Sequence, residues 1–520
     1  MESGTGLVPP ARLESFRRAA GERASGALDE EGFKQARLVV GGHRQRDGAY
    51  MLRARVPGGR LAVAAWQALG LAARRHSRSG RVHLTLRQDL QIYDLDLGGL
   101  GAAVEEAAGA GLSTYASGGN TVRNITCSVT ADLRPGLPFD PYPHAAALSA
   151  RLSRTPLFHG LPRKFKIGFA GPDEEQAQAW LNDLGFTARL REGRRGFRVL
   201  AGGGLGGSAQ SAFELEDFLP EDEVGPLAEA VLEYFSEVSP AGKPALNRFK
   251  HVLRARGIRE ARQEARRRGA GRPLDAPVAA VPAPRGSCLW LEPDLGDLGP
   301  DQILGLGRAL REAGVETLRL GFDQRLLAPG LDPDKAEGLR RAAADLGLGA
   351  RLERPGPRVV ACTGPGTCNR GLVNSRELAR VLLQQGPQLP VELRVSGCQN
   401  GCSQHLVAPV SLQGSVQAGA EGRVPSYLLR AGWPAGPEGL RFGQPLATLP
   451  ARRVPAALRA LLAAWRGEGE TRAFDQWLRD KGREGLGPVL AAVPPAAGEE
   501  KMDWGSDRPF EVSLGGSECH

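Results

Sequence analysis

The stretch from residue 361 to residue 405, ACTGPGTCNRGLVNSRELARVLLQQGPQLPVELRVSGCQNGCSQH, contains four of the seven cysteines of the chain. They form a Cys-x5-Cys pair and a Cys-x3-Cys pair with 29 residues between the pairs, each pair in a glycine-rich turn. The four residues are Cys362, Cys368, Cys398 and Cys402. Between the pairs, the pattern predicts a helix from Ser375 to Gln385 and a strand from Val391 to Val395. Loops at the ends of these two elements could bring the four thiolates together.

Four thiolates with unequal spacing suit an iron–sulfur cluster or a zinc ion. Zinc sites usually contain two Cys-x2-4-Cys pairs, and a Cys-x5-Cys pair fits that pattern poorly. Cysteines can also serve as small residues of a hydrophobic core, but two paired sets in glycine-rich turns are not typical of that role. The residues therefore favour a cluster and leave zinc as the alternative.

The composition is that of a globular protein with more than one hydrophobic core, since the chain has 520 residues, 41% hydrophobic and 24% charged. No apolar run reaches the roughly 20 residues of a membrane helix. The N-terminus lacks the apolar segment of a signal peptide. We therefore expect a cytoplasmic protein that does not bind membranes and whose reduced cysteines are available to bind metal.

The formal net charge of +9 is compatible with several kinds of anionic partner. Nucleic acid is one of them, but the basic residues are scattered, aromatic residues are few and no nucleic-acid-binding motif occurs. An anionic cofactor and substrate in a deep pocket, or an acidic electron carrier at the surface, fit better. We therefore expect no nucleic acid among the partners.

A repeat within the chain predicts an internal duplication. Three segments of the first half match segments of the second half at an offset of 235 residues. They are Leu69–Leu71 with Leu304–Leu306, Cys127 with Cys362, and Lys164 and Lys166 with Gln399 and Gly401. A common register favours two halves related by a pseudo-two-fold axis, with equivalent loops around one central cavity.

The predicted elements also recur in order as strand, helix, strand and helix. In the first half they are Tyr50–Val56, Leu61–Arg74, a strand pair over Val82–Tyr93, and Leu100–Ala110. In the second half they are Cys288–Leu291, Pro300–Glu312, Thr317–Phe322 and Pro333–Leu346.

Residues 361–405 resemble the cluster signature of the sirohaem-dependent nitrite and sulfite reductases, and Gly-Cys-Gln-Asn-Gly-Cys is a specific match. The resemblance implies that Cys362, Cys368, Cys398 and Cys402 hold a 4Fe–4S cluster, and that Cys402 also bridges to the iron of sirohaem. It further implies an α+β fold, internally duplicated with pseudo-two-fold symmetry, with ferredoxin-like halves and mixed and antiparallel sheets.

The resemblance gives the following domain boundaries. They are an N-terminal arm (1–35), the first ferredoxin-like half (36–115), a sirohaem- and anion-binding domain (116–285), the second ferredoxin-like half (286–352), an iron–sulfur and sirohaem-binding domain (353–490) and a C-terminal tail (491–520).

Four cations of the first half match anion-binding positions of the family. Arg87 lies in HLTLRQDLQIYD, Arg123 in NTVRNITC, and Lys164 and Lys166 in LPRKFK. On a strand, the two lysines would point to the same face. Sirohaem carries many carboxylates, so several cations are needed to bury it. Each cation alone would be a solvated surface charge, and Arg154 is the candidate for a further arginine beside the substrate.

The resemblance implies six-electron reduction of an anion at a sirohaem coupled to the cluster. Arg87, Arg154, Lys164 and Lys166 would hold the anion, and the two lysines could supply protons. In this family Lys-x-Lys is associated with sulfite reductases and Lys-x-Asn with many ferredoxin-type nitrite reductases. Lys166 therefore favours reduction of sulfite to sulfide over reduction of nitrite to ammonia.

No flavin- or nicotinamide-binding motif occurs in a strand–turn–helix context, so we expect a separate electron donor, either ferredoxin or a flavoprotein. Precorrin-3B synthase, a monooxygenase that shares the fold and the cluster cysteines, is an alternative, but the complete LPRKFK and GCQNGC segments favour the reductases. A non-enzymatic protein that binds metal or nucleic acid is a further alternative.

Overall fold

The computed structural model describes residues 7–133, 137–171, 177–240, 246–279, 282–419, 422–433, 439–496 and 500–516. The chain forms two compact units. Unit 1 contains the described residues up to Gly204 and from Gln210 to Arg354, and unit 2 contains Leu205–Ala209 and the described residues from Pro355 onwards. The six domain boundaries given above remain predictions. No described helix is long and apolar enough to cross a membrane.

The helices of unit 1 are α1 (Pro10–Ala24), α2 (Glu30–Val39), α3 (Val63–His76), α4 (Leu97–Gly109), α5 (Tyr142–Ser153), α6 (Ala177–Trp180), α7 (Val224–Val238), α8 (Phe249–Arg256), α9 (Ile258–Gly269), α10 (Pro300–Glu312) and α11 (Pro333–Asp345). Its strands are β1 (Gly42–Arg44), β2 (Tyr50–Ala54), β3 (Arg60–Ala62), β4 (Val82–Leu84), β5 (Leu90–Leu95), β6 (Thr126–Cys127), β7 (Ile167–Ala170), β8 (Leu184–Arg191), β9 (Arg194–Ala201), β10 (Phe213–Pro220), β11 (Ser287–Glu292), β12 (Asp297–Leu298), β13 (Thr317–Leu320), β14 (Leu326–Leu331) and β15 (Gly349–Arg351).

Unit 2 contains a second set of elements. They are β16 (Val359–Ala361), α12 (Ser375–Gln385), β17 (Leu393–Ser396), β18 (Val410–Gly419), β19 (Gly422–Ala431), β20 (Gln444–Pro450), α13 (Val454–Gly467) and α14 (Phe474–Ala491). The helices and strands that the sequence predicts around the cysteines and in both ferredoxin-like halves are confirmed, with ends that differ by a few residues.

Two antiparallel sheets of unit 1 show the duplication, and they exchange one strand. Their orders are β1-β2-β5-β4-β12 and β15-β11-β14-β13-β3. Strand β12 of the second half pairs with β4, and β3 of the first half pairs with β13. The exchange was not predicted, because β3 and β12 are only three and two residues long.

Helices α3 and α10 pack closely at two glycines, which fixes how the ferredoxin-like halves meet. A Cβ atom at Gly70 would lie 2.6 Å from Cγ2 of Ile303, and one at Gly307 would overlap the side chain of Gln67. The indole nitrogen of Trp66 also donates to the carbonyl oxygen of Ile303 at 2.9 Å. Small residues are therefore required at both positions of the crossing.

The two mixed sheets share one topology. The orders are β6-β7-β8-β9-β10 in unit 1 and β16-β17-β18-β19-β20 in unit 2. In both sheets the first three strands are parallel and the remaining pairs are antiparallel. The internally duplicated α+β fold is therefore confirmed.

The strand register corrects the constant offset of 235 residues. Cys362 donates its backbone N–H to Val395, and Ser128 makes the equivalent bond to Phe169, so the counterpart of Cys362 is Ser128 and not Cys127. The Sγ atom of Cys362 accepts a backbone N–H at 3.1 Å from Gly397, as Oγ of Ser128 does at 2.9 Å from Gly171.

The match between the lysines and the second cysteine pair is wrong. The carbonyl of Lys166 accepts the backbone N–H of Leu184, the first residue of β8. The carbonyl of Glu392 accepts the backbone N–H of Val410, the first residue of β18. Lys166 therefore corresponds to Glu392 and lies before its strand, whereas the second cysteine pair follows β17. The physical reason is that the connection between the first two strands differs in length in the two copies, so a constant offset cannot hold.

Candidate functional site

The first cysteine of the predicted cluster site is fixed by both loops of unit 2. Cys362 directly follows β16, and its Sγ atom accepts the backbone N–H of Gly397. Its Sγ atom also lies 3.2 Å from Oγ of Ser375, the first residue of α12. Because Gly397 immediately precedes Cys398, these contacts hold the two cysteine-bearing loops together.

The thiols of Cys362 and Cys368 lie close enough to that of Cys398 to affect it. Burial first, and then the neighbouring thiols of Cys362 and Cys368, raise the pKa of Cys398 to about 11. Cys368 is held by a backbone hydrogen bond of 3.0 Å to Gly364. The structure thus brings these three predicted ligands into one environment.

Cys402 lies at the exposed end of the second loop. The preceding residue, Gly401, has a φ of 72°, which favours glycine. A Cβ atom there would lie 3.0 Å from Cβ of Leu205, which belongs to the segment of the first half included in unit 2. Cys402 is therefore accessible on a loop whose backbone shape is fixed by close packing.

In the part of the chain that the structure describes, no three His, Cys, Asp or Glu side chains converge at the distances of a single bound metal ion.

Arg87 lies in the turn between β4 and β5, and neutral groups hold its guanidinium. Its Nη1 atom donates to Oδ1 of Asn182 at 2.7 Å, and Nη2 donates to the carbonyl of Asn124 at 2.9 Å. Burial lowers the pKa of Arg87 to about 10. Its hydrogen-bond partners are uncharged, and the carboxylates of Asp89 and Asp183, which are not among these partners, oppose the lowering of its pKa.

Lys164 and Lys166 lie on either side of Phe165, immediately before β7. Phe165 is fully buried and forms a bridge with Val122, so the two lysines share the other face, as predicted. Burial lowers the pKa of Lys166 well below its usual value, and the nearby cations Arg87, Arg248 and Lys164 lower it further, whereas Asp183 opposes them.

The two remaining predicted cations, Arg123 and Arg154, differ from each other in burial. Arg123 is buried, and its Nη2 atom donates to the carbonyl of Gly119 at 2.9 Å. Its charge contributes to the lowered pKa of Arg87. Arg154 follows the last residue of α5 and is exposed, so the structure does not place it with the buried cations. The sequence around Arg154 contains no signal that distinguishes an exposed residue at the end of a helix from a buried residue in a short connection.

Sequence reasoning missed several charged residues of this cationic group. Arg55 is buried and donates to the carbonyls of Val122 and Arg123 at 2.8 and 3.1 Å. Arg248 forms an ion pair of 2.9 Å with the fully buried Asp183. Burial, with Arg248 nearby, lowers the pKa of Lys250 to about 8. The available signal was the basic-x-basic spacing of residues 248–250, which resembles that of residues 164–166.

Two family models match unit 1. Residues 43–110 match the model described as the nitrite/sulfite reductase ferredoxin-like half domain. Residues 118–272 match the one described as the nitrite and sulphite reductase 4Fe-4S domain, which here is the copy that carries the cations.

The chain belongs to the nitrite and sulfite reductase family.

Relatives of both kinds match this family member over most of its length. It is 28% identical to the haemoprotein beta-component of the NADPH sulfite reductase of Xanthomonas campestris, over 87% of this chain and 88% of the relative. It is 26% identical to the chloroplastic ferredoxin–nitrite reductase of Arabidopsis thaliana, over 73% and 70%. The NirA protein of Mycobacterium tuberculosis has a similar fold, with a TM-score of 0.78, 20% identity and coverage of 92% and 98%.

Membership of this family makes the protein an oxidoreductase that uses sirohaem and a 4Fe–4S cluster, acts on a small anion and receives electrons from a redox partner.

The buried residues of unit 1 fit an anionic cofactor. Nε2 of His43, Oγ of Ser117 and Oδ1 of Asp89 are buried side-chain atoms with no hydrogen-bond partner in the described part of the chain. They lie among cations, since Arg53 and Arg123 influence the pKa values of both His43 and Asp89. Buried cations in excess of carboxylates require anions to compensate them.

Proposed function

We propose that this enzyme reduces sulfite to sulfide with six electrons from a separate donor protein. The observation that carries the proposal is Lys166, whose ammonium group lies near that of Lys164 and near the guanidinium of Arg87 in one partly buried cationic group. A doubly charged sulfite ion benefits from a second lysine more than a nitrite ion, which carries one charge. The Lys-x-Lys pattern also supports this choice, because in this family it is associated with sulfite reductases.

Arg87 would bind and orient the anion. Its guanidinium is already oriented by Asn182 and Asn124, so little conformational entropy is lost when the anion binds. Sirohaem, when bound, supplies the iron that takes the anion, and the cluster stores electrons. Arg123, Lys164 and Lys166 would in addition neutralise carboxylates of sirohaem.

Lys164 and Lys166 would supply protons. Each oxygen of sulfite leaves as water, so every departing oxygen must acquire two protons. A lysine whose pKa is lowered by burial and by neighbouring cations releases a proton more readily at neutral pH than an ordinary lysine. Nζ of Lys166 is therefore the proposed donor to the departing oxygen, and solvent would reprotonate it.

In unit 2, Cys362, Cys368, Cys398 and Cys402 are the proposed cluster ligands, and Cys402 is also the proposed ligand of the sirohaem iron. The contacts of Cys362 with Gly397 and Ser375 support this assignment, because they hold one ligand in place by a donated N–H and a hydroxyl. A donated N–H to a thiolate sulfur also tunes the potential of a cluster.

Nitrite is the second candidate substrate, because ferredoxin–nitrite reductases are among the relatives that match most of the chain. The electron donor would be ferredoxin or a separate flavoprotein. The names of the relatives give two sources of electrons, ferredoxin for the ferredoxin–nitrite reductase and NADPH for the NADPH sulfite reductase. The net charge of +9 supports an acidic donor.

The test uses the holoenzyme, purified without air from cells that make sirohaem. The kcat/KM values for sulfite and nitrite are measured with reduced methyl viologen, for the wild type and for Lys166→Asn. We expect a preference for sulfite in the wild type. The substitution should lower kcat/KM for sulfite about 10- to 100-fold, since a hydrogen bond to a charged group contributes about 1.5–3 kcal/mol, and lower that for nitrite less.

Lys335→Asn is the control, because Lys335 lies on the exposed face of α11 and should not change either value. A wild-type preference for nitrite, or equal losses for both anions in Lys166→Asn, would contradict the sulfite assignment. A cluster spectrum without the chlorin bands of sirohaem would instead favour a precorrin-3B synthase.

A further inference from the structure

We propose that Asn182 and Asp183 are positioning residues that hold Arg87, Lys166 and Arg248 around the substrate anion. The inference rests on the function proposed above. Both residues are fully buried, and they lie immediately before β8, the central strand of the mixed sheet of unit 1. Neither residue would touch the substrate, so both would act through the cations that they hold.

Asn182 fixes the orientation of Arg87. Its side-chain amide nitrogen donates to the carbonyl of Gln178, which leaves Oδ1 as the acceptor for Nη1 of Arg87 at 2.7 Å. Gly168 on the adjacent strand β7 leaves room for this amide, since a Cβ atom there would lie 2.5 Å from the same nitrogen. The amide thus holds the guanidinium without neutralising its charge.

Asp183 connects two further cations. Its Oδ2 atom accepts the backbone N–H of Lys166 at 2.9 Å. Its two carboxylate oxygens accept from Nη2 of Arg248 at 3.0 and 2.9 Å. Because a fully buried carboxylate must be paired, Asp183 fixes the segment that carries Lys166 and the side chain of Arg248 relative to each other.

The second copy of the sheet shows that the fold does not require these two side chains. The strand register makes residues 408–409, an Ala-Pro pair, equivalent to the Asn-Asp pair. The backbone contact is the same in both copies, since Gly202 donates to the carbonyl of Asp183 and Gly432 to that of Pro409, each at 2.9 Å. The turn thus forms without a polar side chain, and what the Asn-Asp pair adds is its contact with the cations.

The charge of Asp183 predicts a specific pH dependence. Arg87, Arg248 and Lys164 lower the pKa of Lys166, and Asp183 raises it. An anion binds best while Lys166 is protonated, so binding weakens as the pH rises through the pKa of Lys166. Loss of the negative charge lowers this pKa, so the pH at which binding weakens should fall.

The experiment measures the affinity of the holoenzyme for sulfite and for nitrite by spectral titration across a range of pH. For Asp183→Asn we expect sirohaem and iron contents like those of the wild type, together with a binding curve displaced to lower pH. At the acid end of the range, affinity should be equal or higher, because the site carries more positive charge. Asp217→Asn is the control, since Asp217 is exposed and pairs only with surface arginines in the described structure.

Two other variants separate positioning from a merely structural role. Arg248→Gln leaves the carboxylate of Asp183 free to act on Lys166, so the curve should move to higher pH, opposite to Asp183→Asn. Asn182→Ala should weaken anion binding about tenfold through a misplaced Arg87, with a smaller displacement in pH than Asp183→Asn, because asparagine itself carries no charge.

An unchanged pH dependence in a folded Asp183→Asn holoenzyme would overturn the inference. If Asp183→Asn does not fold, the test uses Arg248→Gln instead. A binding curve of Arg248→Gln that does not move to higher pH would then overturn the inference. The failure of the proposed function has a different signature, which is read from the wild-type holoenzyme alone: it would prefer nitrite to sulfite or bind neither anion, whatever Asp183→Asn does to the pH dependence.

Discussion

Substitution of Gly203 by alanine should damage the anion site through the backbone. A Cβ atom at Gly203 would overlap the carbonyl oxygen of Trp180 and lie 2.6 Å from that of Asn182. Both neighbours are main-chain atoms, which cannot rotate away as a side chain can. Because carbon and oxygen do not approach closely below about 3.4 Å, the segment before β8 must move by about 1 Å.

That displacement has two expected costs. Overpacking of this kind lowers the free energy of unfolding by about 1–3 kcal/mol. The segment also carries the contacts of Asn182 and Asp183 with Arg87 and Lys166, and a shift of about 1 Å in a positioning segment can lower kcat/KM about 100-fold. The two quantities are measured by urea unfolding and by anion reduction with reduced methyl viologen.

Gly101→Ala is the matched control, because it makes the same chemical change in an open position. The nearest atom to a Cβ at Gly101 is Cε1 of Phe16, at 3.9 Å. Alanine in the interior of helix α4 should raise the free energy of unfolding by up to about 1 kcal/mol. Wild-type activity and stability of Gly203→Ala would refute the reasoning, and a loss of stability alone would refute the connection to the anion site.

Three further results are expected. Cys402→Ser should lose cluster iron and labile sulfide, whereas Cys288→Ser, in strand β11 of unit 1, should retain both. Gly70→Ala should lower the free energy of unfolding by about 1–3 kcal/mol, because its Cβ atom would meet Ile303. Burial holds the pKa of His43 well below its usual value, so the folded state keeps it neutral. Stability is therefore present above a pH of about 6.5 and declines as the pH falls below it, and His43→Asn should flatten that decline in urea unfolding at several pH values.

The features predicted from the sequence are those with local signals. The helix Ser375–Gln385 has the predicted ends, because Asn374 caps it through the N–H of Glu377 and Gly386 follows it. The two cysteine pairs are also local, since their spacing and their glycines lie within one stretch. The common face of Lys164 and Lys166 follows from alternation along an extended chain.

The features that were missed depend on contacts between distant residues. Asp183 and Arg248 are 65 residues apart, and neither lies in a pattern that distinguishes a buried ion pair from two surface charges. The role of Arg154 beside the substrate stays a prediction: the residue is exposed at the end of α5, and a basic residue at a helix end has no local mark of burial. The offset of 235 residues failed where the connections between strands differ in length, although the duplication itself is right.

Comparison of one turn in the two copies explains why a duplicated fold need not contain two anion sites. Gln88 and Gln324 occupy equivalent turns with φ angles of 59° and 63°, since the strand pairs β4–β5 and β13–β14 flank them in the same register. In the second copy, Arg325 follows the glutamine and forms ion pairs of 2.9 and 2.7 Å with Asp323 and Glu292. Its charge is thereby neutralised within the protein.

In the first copy the order of the charges is reversed, with the arginine before the glutamine and Asp89 after it. The hydrogen bonds of Arg87 run to an amide oxygen and a peptide carbonyl, and Oδ1 of Asp89 has no hydrogen-bond partner in the described part of the chain. The guanidinium of Arg87 is thus bonded to neutral groups, whereas that of Arg325 is paired with two carboxylates. Exchange of the two charged residues around the same turn geometry therefore changes which groups the arginine contacts, which is the physical basis of the anion-binding role proposed for Arg87.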